Sequence, residues 1–173
     1  MKISRMTNML ASSLLLALVI LFSACTTSVI KTENPMFAAK GAKDYALVYL
    51  LRPMPIRTRG VADNDIKVEF GENQLVAKLS AGEYVAFKVK PGSVDIITRS
   101  FAFVTAKTLP EKVWRARHFT FEAGKTYYIH TKFTQEEFRG MYFIPTEITK
   151  EEARKMLIRI KPAGELAKQL PIT

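Results

Sequence analysis

Turn-forming residues punctuate this chain about every eight to twelve positions from residue 44 onward, and that rhythm limits the fold more than any other feature. Gly71-Glu72-Asn73, Ser80-Ala81-Gly82-Glu83, Pro91-Gly92 and Glu122-Ala123-Gly124-Lys125 separate short apolar runs. Glycine supplies the positive φ that tight turns need, and proline presets the first turn residue. Chains with this spacing close into small sandwiches or barrels. No run alternates with a long helical stretch, so a parallel α/β sheet is excluded.

The runs themselves differ in pattern. Tyr45-Ala46-Leu47-Val48-Tyr49-Leu50-Leu51 is continuously apolar, as expected of a central strand buried on both faces. Ile66, Val68 and Phe70 alternate with Lys67 and Glu69, a half-buried strand, and Leu75–Leu79 returns as its hairpin partner. Val85, Phe87 and Val89 face the core on the next strand. The strand after Pro91-Gly92 carries Val94, Ile96 and Thr98 on one face and runs on to Phe103 or Ala106. Residues 115–121 and 127–133 read as a last hairpin around Gly124. Near the end, Thr149 precedes Glu152 by three residues, a capping-box spacing, and Ala153, Met156, Leu157 and Ile160 form one apolar stripe. Pro162 and Gly164 stop this helix, whose other face is basic. The helix is expected to cover its own sheet; the alternative is a basic face lying on anionic lipid.

The first 25 residues carry an address. Lys2 and Arg5 precede an apolar stretch from Met9 to Ile20, followed by Leu21-Phe22-Ser23-Ala24-Cys25. This is the pattern of a bacterial lipoprotein signal peptide over residues 1–24, with Cys25 as the lipidated residue, although Phe22 stands where Leu, Val or Ile is usual. The competing reading is an uncleaved span, because no charge lies between Arg5 and Lys31. Both readings put the body outside the cytoplasm. Thr26 rather than Asp follows the cysteine, which resembles the pattern sent on to the outer membrane and implies a periplasm-facing anchor there.

Residues 25–43 hold Pro35, Gly41 and no sustained period, and read as a lipidated cysteine and tether. A flexible coil of that length spans on the order of 23 Å. Residues 44–146 form the sandwich domain and 147–173 the helix and tail. Cys25 is the sole cysteine, so the body contains no disulfide and is held by apolar packing. The chain has 26 Lys+Arg against 16 Asp+Glu, a formal +10, of which cleavage removes Lys2 and Arg5. Outside the cytoplasm the polyanions available to such a balance are lipid head groups, lipopolysaccharide and acidic wall polymers rather than nucleic acid, but the positive residues are scattered, and the preferred reading is that they keep a tethered domain soluble.

Taken in order, Leu47-Val48-Tyr49-Leu50-Leu51-Arg52-Pro53, Leu79-Ser80-Ala81-Gly82-Glu83-Tyr84, Val89-Lys90-Pro91-Gly92 and Glu122-Ala123-Gly124-Lys125-Thr126-Tyr127-Tyr128-Ile129 resemble an uncharacterised bacterial lipoprotein family, domain-of-unknown-function family 2846, over roughly residues 45–132. The resemblance implies an all-β fold, a small antiparallel β-sandwich of immunoglobulin- or transthyretin-like type, here with one C-terminal amphipathic helix. It implies no activity.

Nothing in the sequence specifies a reaction. His118 and His130 are the only histidines, and in a hairpin centred between Ala123 and Gly124 they fall on opposite faces. That argues against a two-histidine metal site. Glu136-Glu137 and Glu151-Glu152 are adjacent pairs of solvated character, and no serine sits in a strand–turn–helix elbow. The expectation is therefore no enzyme, no cofactor and no metal. Candidate binding residues are Arg52, Arg57 and Arg59 around the loop after the first strand, and Trp114, Arg115 and Arg139 in a second basic, aromatic region. Arginine beside aromatics is the composition of interface hot spots. The expected function is a membrane-anchored module that binds a protein partner. The alternatives are binding of a cell-wall glycan or other anionic envelope polymer and, as a minority reading, an envelope hydrolase.

Overall fold

The computed structural model describes residues 28–29, 35–54, 65–102, 111–136 and 140–173. Within them the strands are β1 (Ser28–Val29), β2 (Ala46–Arg52), β3 (Ile66–Phe70), β4 (Leu75–Leu79), β5 (Glu83–Val89), β6 (Gly92–Ala102), β7 (Glu111–Phe121), β8 (Thr126–Glu136), β9 (Gly140–Ile148) and β10 (Lys161–Pro162). The helices are α1 (Lys150–Met156) and α2 (Glu165–Gln169). The first sheet has the order β1-β4-β3-β6-β7 and the second β10-β5-β2-β8-β9. The protein is an all-β sandwich, as expected.

Hydrophobic pattern decides which strand joins which sheet. On β3, β6 and β7 the apolar residues Val68, Phe70, Val94, Ile96, Phe119 and Phe121 point into the shared core, while Lys67, Asp95, Arg99, Lys112 and His118 lie on the opposite face together with Ile97, Phe101 and Trp114. β2, β5 and β8 are apolar on both faces. Val48, Leu50, Val85, Phe87, Tyr127 and Ile129 enter the same core, whereas Tyr49, Leu51, Tyr84, Ala86 and Tyr128 form a second cluster on the opposite side of the second sheet. The C-terminal segment covers that cluster with Ala153, Ile160, Ala167 and Ile172.

This sorting corrects the expected β7–β8 hairpin. Gly124 (φ 75°) makes the turn, but its N–H donates to the Tyr45 carbonyl at 2.8 Å and the Leu47 N–H donates to Lys125 at 2.9 Å. The turn is thereby docked at the start of β2, and β8 continues in parallel register with β2, Tyr49 opposite Tyr128. A two-faced strand beside β7 would leave Tyr128 in water. In the second sheet that ring stacks on Tyr49, with centroids 5.3 Å apart. β10 also pairs in parallel, with β5, so the sandwich is not wholly antiparallel.

The helix begins as expected, with the Thr149 hydroxyl accepting from the Glu152 N–H and the Glu152 carboxylate accepting from the Thr149 N–H. It ends at Met156 rather than running to Ile160. The chain leaves the helix so that Lys161 N–H can donate to Gly82 and Ala163 N–H to Tyr84, forming β10, and a second short helix follows. Ile160 is nevertheless buried in the cluster its stripe implied. The Tyr49 hydroxyl donates to the Leu170 carbonyl at 2.8 Å and ties down the end of α2. Burial, with Tyr128 and Tyr84 nearby, pushes this phenol up to about 12, so it remains a donor at any physiological pH.

The segment read as a tether is largely part of the sandwich. β1 pairs with the edge of β4, Ser28 opposite Lys78. Phe37 bridges to Val89, stacks on Phe87 at 5.0 Å and meets Phe70 edge-on, while Ala38 N–H donates to Lys88 and Lys90 N–H donates to Met36. Met36 and Phe37 supply the apolar area that makes docking favourable over a free coil. This closes the β4–β5 side of the sandwich. On the other side, Thr98 donates to the Phe143 carbonyl at 2.6 Å and joins β6 to β9.

Candidate binding surfaces

Arg52 does not lie on a binding surface. It ends β2, is 1 % exposed, and its guanidinium donates to the Leu79 carbonyl at 2.6 Å and stands 4.9 Å over the Phe143 ring. Directly across the ladder is Glu83, 2 % exposed, with the Lys161 ammonium 3.7 Å away. A cation at a strand end looks solvated in sequence; here Leu79 of β4 and Phe143 of β9 close over it. Cys25, Arg57, Arg59 and Arg139 lie outside the described residues.

Trp114 is the residue from the sequence list that the fold leaves open, at 57 % exposed. Its neighbour Arg115 points the other way: the guanidinium sits 3.6 Å over the Tyr142 ring and donates to the Trp114 carbonyl. Arg115 therefore joins β7 to β9 and is not a free ligand-binding side chain. Tyr127, Tyr128 and Tyr142 are core residues.

Register places Trp114 in a row across the outer face of the first sheet. Trp114 is opposite Arg99, Arg99 opposite Lys67 and Lys67 opposite Lys78. Residues opposite one another share a face, so these four side chains emerge together. Arg99 is held by Glu69, which accepts from Nε at 2.8 Å and from Nη2 at 3.1 Å; this pairing keeps the guanidinium charged more firmly than usual. On the same face, Phe101 is 45 % exposed and stands opposite Lys112, and Asp95 stands opposite His118 with 2.8 Å between Oδ1 and Nδ1. No described helix or strand packs on this face, whereas the outer face of the second sheet is covered.

A second surface lies at the corner just beyond the end of β2. Ile158 is 91 % exposed in the turn between α1 and β10, and Met54 is 46 % exposed. The turn is fixed on both sides, by Leu157 N–H to Arg154, Arg159 N–H to Met156 and Lys161 N–H to Gly82, and the Arg159 guanidinium donates to the Met54 carbonyl. Gly82 (φ 77°) lets this corner close, since a Cβ there would stand 3.2 Å from Met54 Cε. Sequence reasoning missed Ile158. The available signal was negative: it falls off the stripe formed by its apolar neighbours.

The histidines are further apart in role than the hairpin suggested. His118 is exposed on the first sheet and paired with Asp95, while His130 lies on β8 of the second sheet, opposite Leu51 and Thr146. Burial, with Lys132 adding to it, lowers the His130 imidazole below its ordinary value. Among the described residues no group of three or more His, Cys, Asp or Glu could hold a metal ion. Glu152 is committed to the helix cap, whose hydrogen bonds from Thr149 hold its carboxyl below the usual range. Ser80 is buried and donates to Asp65 at 2.8 Å, fastening the end of β4 to the start of β3.

Among known proteins, no curated protein and no solved structure matches the chain. A family match covers residues 42–142, more than half its length. The chain belongs to the family described as protein of unknown function (DUF2846).

Proposed function

We propose that this protein is a cell-envelope lipoprotein, acylated at Cys25 and facing the periplasm, whose sandwich is a non-catalytic module that binds a protein partner. The observation carrying the binding role is Ile158, a branched aliphatic side chain held almost wholly in water by a turn hydrogen-bonded on both sides. A fixed apolar side chain loses little conformational freedom when a partner covers it. Met54 and Arg159 beside it supply the adaptable thioether and the arginine that interface centres favour.

The test is site-specific photo-crosslinking in living cells from position 158, with position 120, exposed on the first sheet, as the control. The expected result is one protein crosslinked from 158 and not from 120, and lost when the adjacent Arg159 is replaced by Glu. A crosslink pattern identical at both positions, or no protein adduct at 158, would remove the corner as an interface. Truncation after Thr146 is not a usable probe, because it strips Ala153, Ile160, Ala167 and Ile172 from the second apolar cluster. Anchoring is checked separately: Cys25→Ala should abolish acyl labelling and release the chain from the membrane fraction.

A further inference from the structure

We propose that the outer face of the first sheet lies flat on the bilayer that holds the anchor, with Lys78, Lys67 and Lys112 on anionic phospholipid head groups and Trp114 and Phe101 at the interface. This rests on the reading of Cys25 as the lipidated residue.

Two observations support it. The first is reach. Three residues of extended chain span at most about 11 Å, so docking β1 on β4 holds the sheet edge within that distance of Cys25. A free tether would leave orientation open; a docked one narrows it to orientations that keep the β1 edge near the bilayer. The second is the composition and placement of the face. Ser28 is opposite Lys78, so the row Lys78, Lys67, Arg99, Trp114 begins at the anchored edge and crosses to the far strand. With strands about 4.8 Å apart, β7 lies roughly 19 Å from β1. A sandwich standing on its β1 edge would hold Trp114 at about that height above the head groups, whereas a sandwich lying on this face brings it down to them.

The charges complement an anionic surface. Of the described carboxylates on or beside the face, Glu69 pairs with Arg99 and Asp95 with His118, while exposed Glu72 in the β3–β4 turn acts on Arg99. Lys67, Lys78 and Lys112 remain exposed. Trp is the side chain most at home at a membrane interface, with an apolar ring and one N–H donor. Lysine stems can lie along the sheet while their ammonium groups meet phosphate.

Trp114 is the only tryptophan in the chain, so its fluorescence reports this face alone. The acylated full chain would be reconstituted into phosphatidylcholine vesicles with and without phosphatidylglycerol, and flotation, acrylamide access and quenching by brominated acyl chains measured. The expected result is flotation with both, but a blue-shifted, acrylamide-shielded and bromine-quenched Trp114 on the anionic vesicles. Each lysine near an anionic surface favours contact about fivefold, so Lys67→Gln/Lys78→Gln should lower the flat population roughly 25-fold and restore acrylamide access. Flotation without bromine quenching, or quenching that survives the double substitution, overturns the proposal and leaves the lipid anchor standing. Failure to float, with no acyl chain by mass, overturns the anchor and this orientation together. Shielding by dextran sulfate without bromine quenching would assign the face to a soluble polymer and overturn it as well.

Discussion

Replacing Arg52 by methionine separates a surface arginine from a structural one. Methionine keeps most of the side-chain length and removes the charge and every donor. The Leu79 carbonyl loses its 2.6 Å partner, and a buried acceptor left unpaired costs about 1–3 kcal/mol. Glu83, 2 % exposed and directly opposite, loses the buried cation across the ladder, while Lys161 stands 3.7 Å away with its ammonium largely in water. Removing one partner from a buried charge cluster costs about 3–5 kcal/mol in all, a large part of the roughly 5–15 kcal/mol that holds a domain folded. In urea, with a slope of about 2 kcal/mol/M for a domain of this size, the midpoint should fall by about 2 M. The assay is equilibrium unfolding of the mature Cys25→Ser chain, followed by far-ultraviolet circular dichroism and Trp114 emission together. Adding Glu83→Gln to the methionine variant should recover part of the loss, since the negative charge buried across the ladder from position 52 is then gone. A midpoint within about 0.3 M of the parent, or a partner-binding defect at unchanged stability, would refute this reasoning and return Arg52 to the surface.

Two other perturbations test separate parts of the fold. Thr149→Ala removes the helix cap and should cost about 1 kcal/mol, read as a lower urea midpoint; an unchanged midpoint would mean α1 does not contribute to the cooperative unit. His130 has a folded value below its unfolded 6.5, so as the pH falls below about 6.5 the unfolded chain takes up a proton that the folded chain resists. Stability should therefore drop on acidification by at most about 1.4 kcal/mol per pH unit from this group, and His130→Gln should flatten that slope between pH 6.5 and 5.

The family and the all-β class were legible because strand and turn signals are local. A continuous apolar run, an alternating run and a Pro-Gly turn each depend on neighbours within a few residues. The Thr149–Glu152 cap was legible for the same reason. Arg57, Arg59 and Arg139 could be named by composition, and they lie outside the described residues. Arg52 and Arg115 were misread because sequence shows that a residue is charged but not whether a distant strand closes over it. Arg115 meets Tyr142 only because β9 returns across β7. Trp114, named as a binding candidate, is exposed because it falls on the outer face of the first sheet.

By itself, then, the sequence determined where the strands and turns lie and which strands carry one apolar face or two. The tertiary structure decided how those faces are satisfied. Three two-faced strands had to sit where both sides are covered, so β2, β5 and β8 became neighbours beneath the C-terminal segment, and a sequence-adjacent hairpin gave way to a parallel pair. Alternating strands could share the sheet whose outer face stays open, which is what leaves Trp114 and its lysines at the surface. Burial is a property of the assembled layers: an apolar residue states only that it must be covered, and what covers it comes from 30 to 120 residues away, beyond the reach of local pattern.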